Sequence, residues 1–159
     1  MNNVLMGGKF IGSDAEFSFY ETIGGGAGAS SRYPGASGIQ THMTNTRNTP
    51  VESLERSFPL TVNSYGLRRD SGGNGKNRGG DGIIREFAIR SQIKCTILSG
   101  HRKCGPDGIL GGKPGKAGRN LLIRNGVTTE LPARAMFDLE PGDILRIETP
   151  GGGGWGEPD

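Results

Sequence analysis

The residues best suited to chemistry lie in two stretches, YETIGGGAGA from Tyr20 to Ala29 and THMTNTRNTP from Thr41 to Pro50. The first places a carboxylate, Glu21, three residues before Gly24, Gly25 and Gly26, where almost no side chain intrudes. Consecutive glycine N–H groups in such a loop are suited to face an anion. The second strings hydroxyls and amides around one histidine and one arginine. Read as an extended strand over 39–47, it puts His42, Thr44 and Thr46 on one face and Met43, Asn45 and Arg47 on the other. His42 is a candidate general base or ligand, with a packed, hydrogen-bonded histidine as the plainer reading. Arg47, beside a helix start, would complete an anion site; pairing with Glu52 or Glu55 is the structural alternative. Glu21 is a candidate acid or base, or else a structural strand-end carboxylate.

Several other chemistries find no support. Gly24 to Ala29 formally fits G-x-G-x-x-A, but SSRYPGASG cannot supply the helix that a dinucleotide site needs, nor is the acidic residue about 20 positions on present. No GxxxxGK occurs, so there is no Walker A phosphate loop. No Ser-His-Asp arrangement, Cys nucleophile motif or zinc spacing is visible, and no protein metal site is expected from these residues. Cys95 and Cys104 lack CxxC spacing and read as two reduced thiols.

The elements that must position these residues are mostly strands. EFSFYETI alternates apolar and polar residues, and strands are also expected over 60–67, 83–90 and 92–98. Asn125-Gly126 joins 119–124 to 127–131 in a hairpin. Pro141-Gly142, suited to the centre of a type II turn, predicts a second hairpin from 133–139 and 143–149. One helix is expected, with Thr49 as N-cap, Pro50 at the first helical position, Glu52 completing a capping box and Pro59 limiting it to about two turns. The fold class is mainly β (α+β), with β-hairpins, one short helix and long glycine loops.

Glycine accounts for 30 of 159 residues and hydrophobic residues for only 32%, so the expected core is thin or some surface needs covering. Loops this rich in glycine are mobile, or are backbones that something must approach closely. The formal net charge is +3, and its cations mingle with acids. Without a basic stripe or aromatic platforms, nucleic acid is not an expected partner. No apolar run is long enough to span a membrane as a helix, and MNNVLMGGKF is not a signal peptide.

Six segments taken in order resemble the hydantoinase B/oxoprolinase family: Met1-Asn2-Asn3, Tyr20 to Ala29, Ser37 to Glu55 (SGIQTHMTNTRNTPVESLE), Arg78 to Glu86, Gly111 to Asn120, and Pro141 to Gly156 (PGDILRIETPGGGGWG). The resemblance covers nearly the whole chain and corresponds to the carboxy-terminal part of that subunit. It implies a single region, 1–159, from which the amino-terminal region of the full subunit is missing. The chain would then be a fragment or split subunit, inactive alone. The implied activity is ATP-dependent hydrolysis of a small cyclic amide, such as 5-oxoproline or a hydantoin. The implied partner is a hydantoinase A-type subunit carrying ATP and Mg, with a divalent metal held by the missing amino-terminal region. A non-catalytic assembly module, or a piece of an acetone or acetophenone carboxylase-type subunit, is the alternative. The implied location is cytoplasmic. Within this frame Glu21, Gly24, Gly25, Gly26, Thr44, Asn45, Thr46 and Arg47 become substrate-binding candidates, and His42 the catalytic candidate.

Overall fold

The computed structural model describes residues 1–41 and 46–158. Among them, nine strands and one helix follow the order β1 (Asn2–Lys9), β2 (Glu16–Thr22), α1 (Val51–Ser57), β3 (Leu60–Arg68), β4 (Gly82–Ile89), β5 (Ile93–Ser99), β6 (Arg119–Arg124), β7 (Val127–Leu131), β8 (Arg134–Leu139) and β9 (Ile144–Glu148). They form two antiparallel sheets, β2-β1-β5-β8 and β3-β4-β9-β6-β7. Alternation along each strand sends one set of side chains inward. Val4, Met6, Phe17, Phe19, Ile93 and Ile97 of the first sheet share a buried cluster with Leu60, Phe87, Leu145 and Ile147 of the second. Leu54 is the one residue that α1 buries in this cluster. The mainly β class is as the alternation implied. The opening strand β1, unassigned in the sequence reading, lies between β2 and β5.

The second expected hairpin does not form. β8 pairs with β5, whereas β9 lies between β4 and β6 in the other sheet. The turn itself is as the residues dictate: Gly142 has φ 95°, and the Asp143 N–H donates to Glu140 O at 3.0 Å. It carries the chain from one sheet to the other. A two-residue turn constrains only its own backbone, and β9 finds ladder partners on both edges in the second sheet, which β8 could not supply alone. Asn125 (φ 51°) and Gly126 (φ 77°) do close the β6–β7 hairpin.

The glycine loops form the third part of the structure. Extended passes around 25–29, 71–82, 105–118 and 150–156 lie side by side, and most of their hydrogen bonds run between passes. The segment 150–156 sits at the centre. Gly26 N–H donates to Pro150 O at 3.0 Å, Gly73 N–H to Gly152 O at 2.8 Å, Gly152 N–H to Gly80 O at 2.9 Å, and Gly154 N–H to Lys113 O at 2.9 Å. A Cβ on Gly152 would overlap the Ala27 carbonyl, and one on Gly79 would overlap that of Gly152. What approaches these glycines is therefore the chain's own backbone, packed too closely for any side chain. This is how a chain with few apolar residues orders so much loop.

Candidate functional site

The site begins with two strand periodicities. In β2 the inward positions are Phe17, Phe19 and Glu21; in β4 they are Ile83, Arg85, Phe87 and Ile89. A carboxylate and a guanidinium are thus driven into the core from opposite sheets. Arg85 is fully buried and Glu21 4% exposed. Burying either alone would be costly, and a fork-to-fork pair offsets that cost. Arg85 Nε donates to Glu21 Oε2 and Arg85 Nη2 to Glu21 Oε1, both at 3.1 Å. The guanidinium carbon lies 4.3 Å from the Tyr65 ring centroid and 5.1 Å from that of Phe87. Arg85 Nη1 is buried without a hydrogen-bond partner among the described residues.

This pair holds the polar segment in place. The Thr49 N–H donates to Glu21 Oε1 at 3.1 Å, and Arg85 Nη2 also reaches Thr49 O at 3.4 Å. Gln40 Nε2 and Asn48 Nδ2 both donate to Thr22 O, at 2.7 and 3.2 Å. Tyr65 donates its hydroxyl to Asn48 Oδ1 at 3.0 Å. Burial raises the Tyr65 pKa above its ordinary value; the Arg85 charge opposes that shift and Glu21 adds to it.

Two sequence expectations fail here for the same reason. Residues 39–41 and 46–47 are not part of a strand; Ile39 makes only an isolated bridge to Gly25. The side chains of Gln40 and Asn48 and the backbone of Thr49 are used at the end of β2, so the described parts of the segment pack on that end instead of extending a sheet. Thr49 is not the helix cap either. Its N–H is committed to Glu21, Pro50 takes the cap position, and no side-chain capping bond forms among the described residues. Glu55 accepts the Val62 N–H at 2.8 Å, and no ion pair joins Arg47 to Glu52 or Glu55 among the described residues.

Two concavities beside this segment share Ile39 and Gln40. One, of about 470 Å³, is lined by Gly24, Gly38, Thr46, Arg47, Asn48 and Tyr65 as well. Thr46 and Arg47 stand exposed at its wall. The other, of about 430 Å³, contains the backbone of Gly25, Gly26 and Gly28 together with Asn2 and His101. The Gly25 and Gly26 N–H groups do not face it, because they donate to Ile39 O and Pro150 O. The structure thus brings Gly24, Thr46 and Arg47 together, puts Gly25 and Gly26 on the far side, and places Glu21 beneath, committed to Arg85. His42, Thr44 and Asn45 lie outside the described residues. Arg85, Tyr65 and Asn48 escaped the sequence reading; the inward period of GIIREFAI was the signal that marks Arg85.

No group of three or more His, Cys, Asp or Glu that would hold a metal ion comes together among the described residues. Both cysteines are free thiols, and burial pushes Cys95 up to about 12. No helix is long and apolar enough to cross a membrane among the described residues.

Comparison with known proteins places this arrangement in context. The family profile for hydantoinase B/oxoprolinase matches residues 1–158. 5-Oxoprolinase 1 of Arabidopsis thaliana is 45% identical over 157 residues, which are 98% of this chain and 12% of that protein. The ATP-dependent caprolactamase of Pseudomonas jessenii superposes with a TM-score of 0.74 at 23% identity, over 97% of this chain and 28% of that one. An acetone carboxylase, in its nucleotide-free structure, superposes with a TM-score of 0.68 at 20% identity, over 97% and 25% of the two chains. At these identities the two structures share the fold. The chain spans about an eighth of the plant protein's length and about a quarter of each of these structures' chains.

Proposed function

Since the chain belongs to the hydantoinase B/oxoprolinase family, we propose that it forms part of an ATP-dependent hydrolase that opens a small cyclic amide of the 5-oxoproline or hydantoin type. The observation that carries this reading is the 45% identity to a 5-oxoprolinase over 98% of the chain. The sequence has no Walker A loop, and no metal-binding group of His, Cys, Asp or Glu comes together among the described residues. In this reading an A-type partner subunit carries ATP and Mg, and parts of the B subunit outside this chain hold any divalent metal. The protein would act in the cytoplasm, where ATP is supplied.

The exposed apolar surface supports assembly with such partners. On the outer face of the first sheet the register aligns Tyr20 with Leu5, Leu5 with Thr96 and Thr96 with Met136. Tyr20 is 59%, Leu5 42% and Met136 79% exposed, and Leu98 flanks the row. The second sheet covers its own outer face with the ion-paired series Glu86, Arg146, Glu148 and Arg68. The uncovered apolar row fits a face packed against the rest of the B subunit.

In this reading Thr46, Arg47 and Gly24 form a wall of the substrate site, and His42, Thr44 and Asn45 stay candidates by their place in the sequence. The ring amide of such a substrate presents a carbonyl and an N–H, for which hydroxyl and amide side chains are matched partners. Arg47 suits a carboxylate or a phosphorylated intermediate. Glu21 and Arg85 position that wall by holding Thr49. The test is substrate-dependent ADP release by the chain mixed with the A-type subunit and the remaining B region. Ring-opened product formed with ADP, and only when this chain is present, is the expected result; ADP release indifferent to the chain would reject the reading.

A further inference from the structure

The second chamber carries an electrostatic feature that the hydrolase reading does not use. Behind its Asn2 wall lies the half-buried Arg102, which makes four hydrogen bonds, all to neutral acceptors. Nε and Nη2 reach Asn120 Oδ1 at 3.0 and 2.9 Å, and Nη1 reaches Asn2 Oδ1 at 2.9 Å and Gly100 O at 2.7 Å. No carboxylate pairs with Arg102 among the described residues. Its pKa is lowered to about 10, first by burial and then by the neighbouring Arg68 charge. A cation withdrawn from water normally has an anion beside it. Here the place for one is the chamber, about 430 Å³, which no carboxylate side chain lines among the described residues.

Two further residues line the same space. Gly28 contributes its backbone to the lining, and its N–H donates to no protein acceptor among the described residues, unlike those of Gly25, Gly26, Ala27 and Ala29. His101 stands exposed at the chamber with φ 53°, a left-handed conformation uncommon for a residue with a Cβ. We propose that this chamber binds an anionic oxygen group, a phosphate or a carboxylate, with the Gly28 N–H and the His101 ring as donors and Arg102, through Asn2, supplying the balancing charge. Such a site would exist whether or not the assembly opens cyclic amides.

The test is an NMR titration of the 159-residue chain with inorganic phosphate, and separately with acetate, at constant ionic strength. Saturable shifts at the Gly28 and His101 amides are expected. Saturation by phosphate alone identifies a phosphate site; saturation by acetate identifies a carboxylate site. Arg102→Gln is expected to weaken binding at least tenfold. His101→Gly, which tolerates the left-handed backbone and removes the ring, is expected to weaken it several-fold. Lys103→Gln, at an exposed neighbour, is expected to leave it unchanged. If Arg102→Gln does not fold, His101→Gly against Lys103→Gln decides. Shifts that do not saturate, that centre on Lys113 and Lys116, or that are equally sensitive to Lys103→Gln would overturn the proposal.

Discussion

Replacing Arg85 by methionine removes the guanidinium but leaves Glu21 where it is, with 3% of its side chain exposed. The lost interactions are the two 3.1 Å bonds to Glu21, the 3.4 Å bond to Thr49 O and the stacking on Tyr65. Breaking a buried pair by removing one partner costs about 3–5 kcal/mol, because the remaining charge is uncompensated. For a domain of this size each kcal/mol moves Tm by about 2–4 °C, so the variant should melt roughly 6–20 °C lower. Removing both charges is less costly, since apolar side chains of similar volume fill the space without a stranded ion. Glu21→Met with Arg85→Met should therefore recover at least about 2 kcal/mol relative to Arg85→Met, within the usual range of coupling between contacting residues. Urea unfolding of the parent, both single variants and the double variant measures this directly. An Arg85→Met variant within about 1 kcal/mol of the parent, or a double variant equal to the sum of the singles, would refute the reasoning.

Other consequences follow from separate parts of the structure. Gly152→Ala should destabilise the protein by about 3 kcal/mol or more, because its Cβ meets the Ala27 carbonyl, while Gly66→Ala, with nothing within 4 Å of the new atom, should stay within about 0.5 kcal/mol; thermal melts of the two compare them. The Arg124 guanidinium holds the Asp143 carboxyl below its ordinary range, against the opposing effect of burial. Between the folded and unfolded pKa values the unfolded chain binds more protons, so this stability is present above about pH 4 and is lost as pH falls through the folded value. Asp143→Asn should lower stability at neutral pH and flatten its dependence on pH below about 4, as read by urea unfolding across that range. In the assembled enzyme, alanine at His42, Asn45 or Arg47 should lower turnover tenfold or more, about 1.4 kcal/mol of barrier; unchanged turnover in all three would remove this segment from the site.

Local periodicity made much of the sandwich legible. EFSFYETI alternates cleanly because one face of β2 is buried, and Asn125-Gly126 fixes a turn whose two strands have no better partners nearby. The β8–β9 pairing was not legible, because the Pro141-Gly142 turn is compatible with both a hairpin and a change of sheet. The choice is made by β4 and β6, which are distant in sequence from the turn. The capping box at Thr49 was misread for a similar reason: Glu21, 28 residues earlier, takes the N–H that a local cap would leave free. Of the candidate site, the polar segment was visible by composition. Its anchor was not, since Arg85 becomes meaningful only when a carboxylate from the other sheet meets it. The glycine runs offered a reason in the sequence, close backbone approach, but could not name the chain itself as what approaches.

The central proposal is that this chain completes an enzyme that adds water to a cyclic amide at the expense of ATP. The most direct measurement is the mass and label content of the product formed by the assembled subunits from 5-oxoproline or a hydantoin, with ATP and labelled bicarbonate present. The account predicts a ring-opened product heavier by one water, formed with ADP and free of label. A product carrying the bicarbonate label would contradict it and assign the chain to a carboxylase.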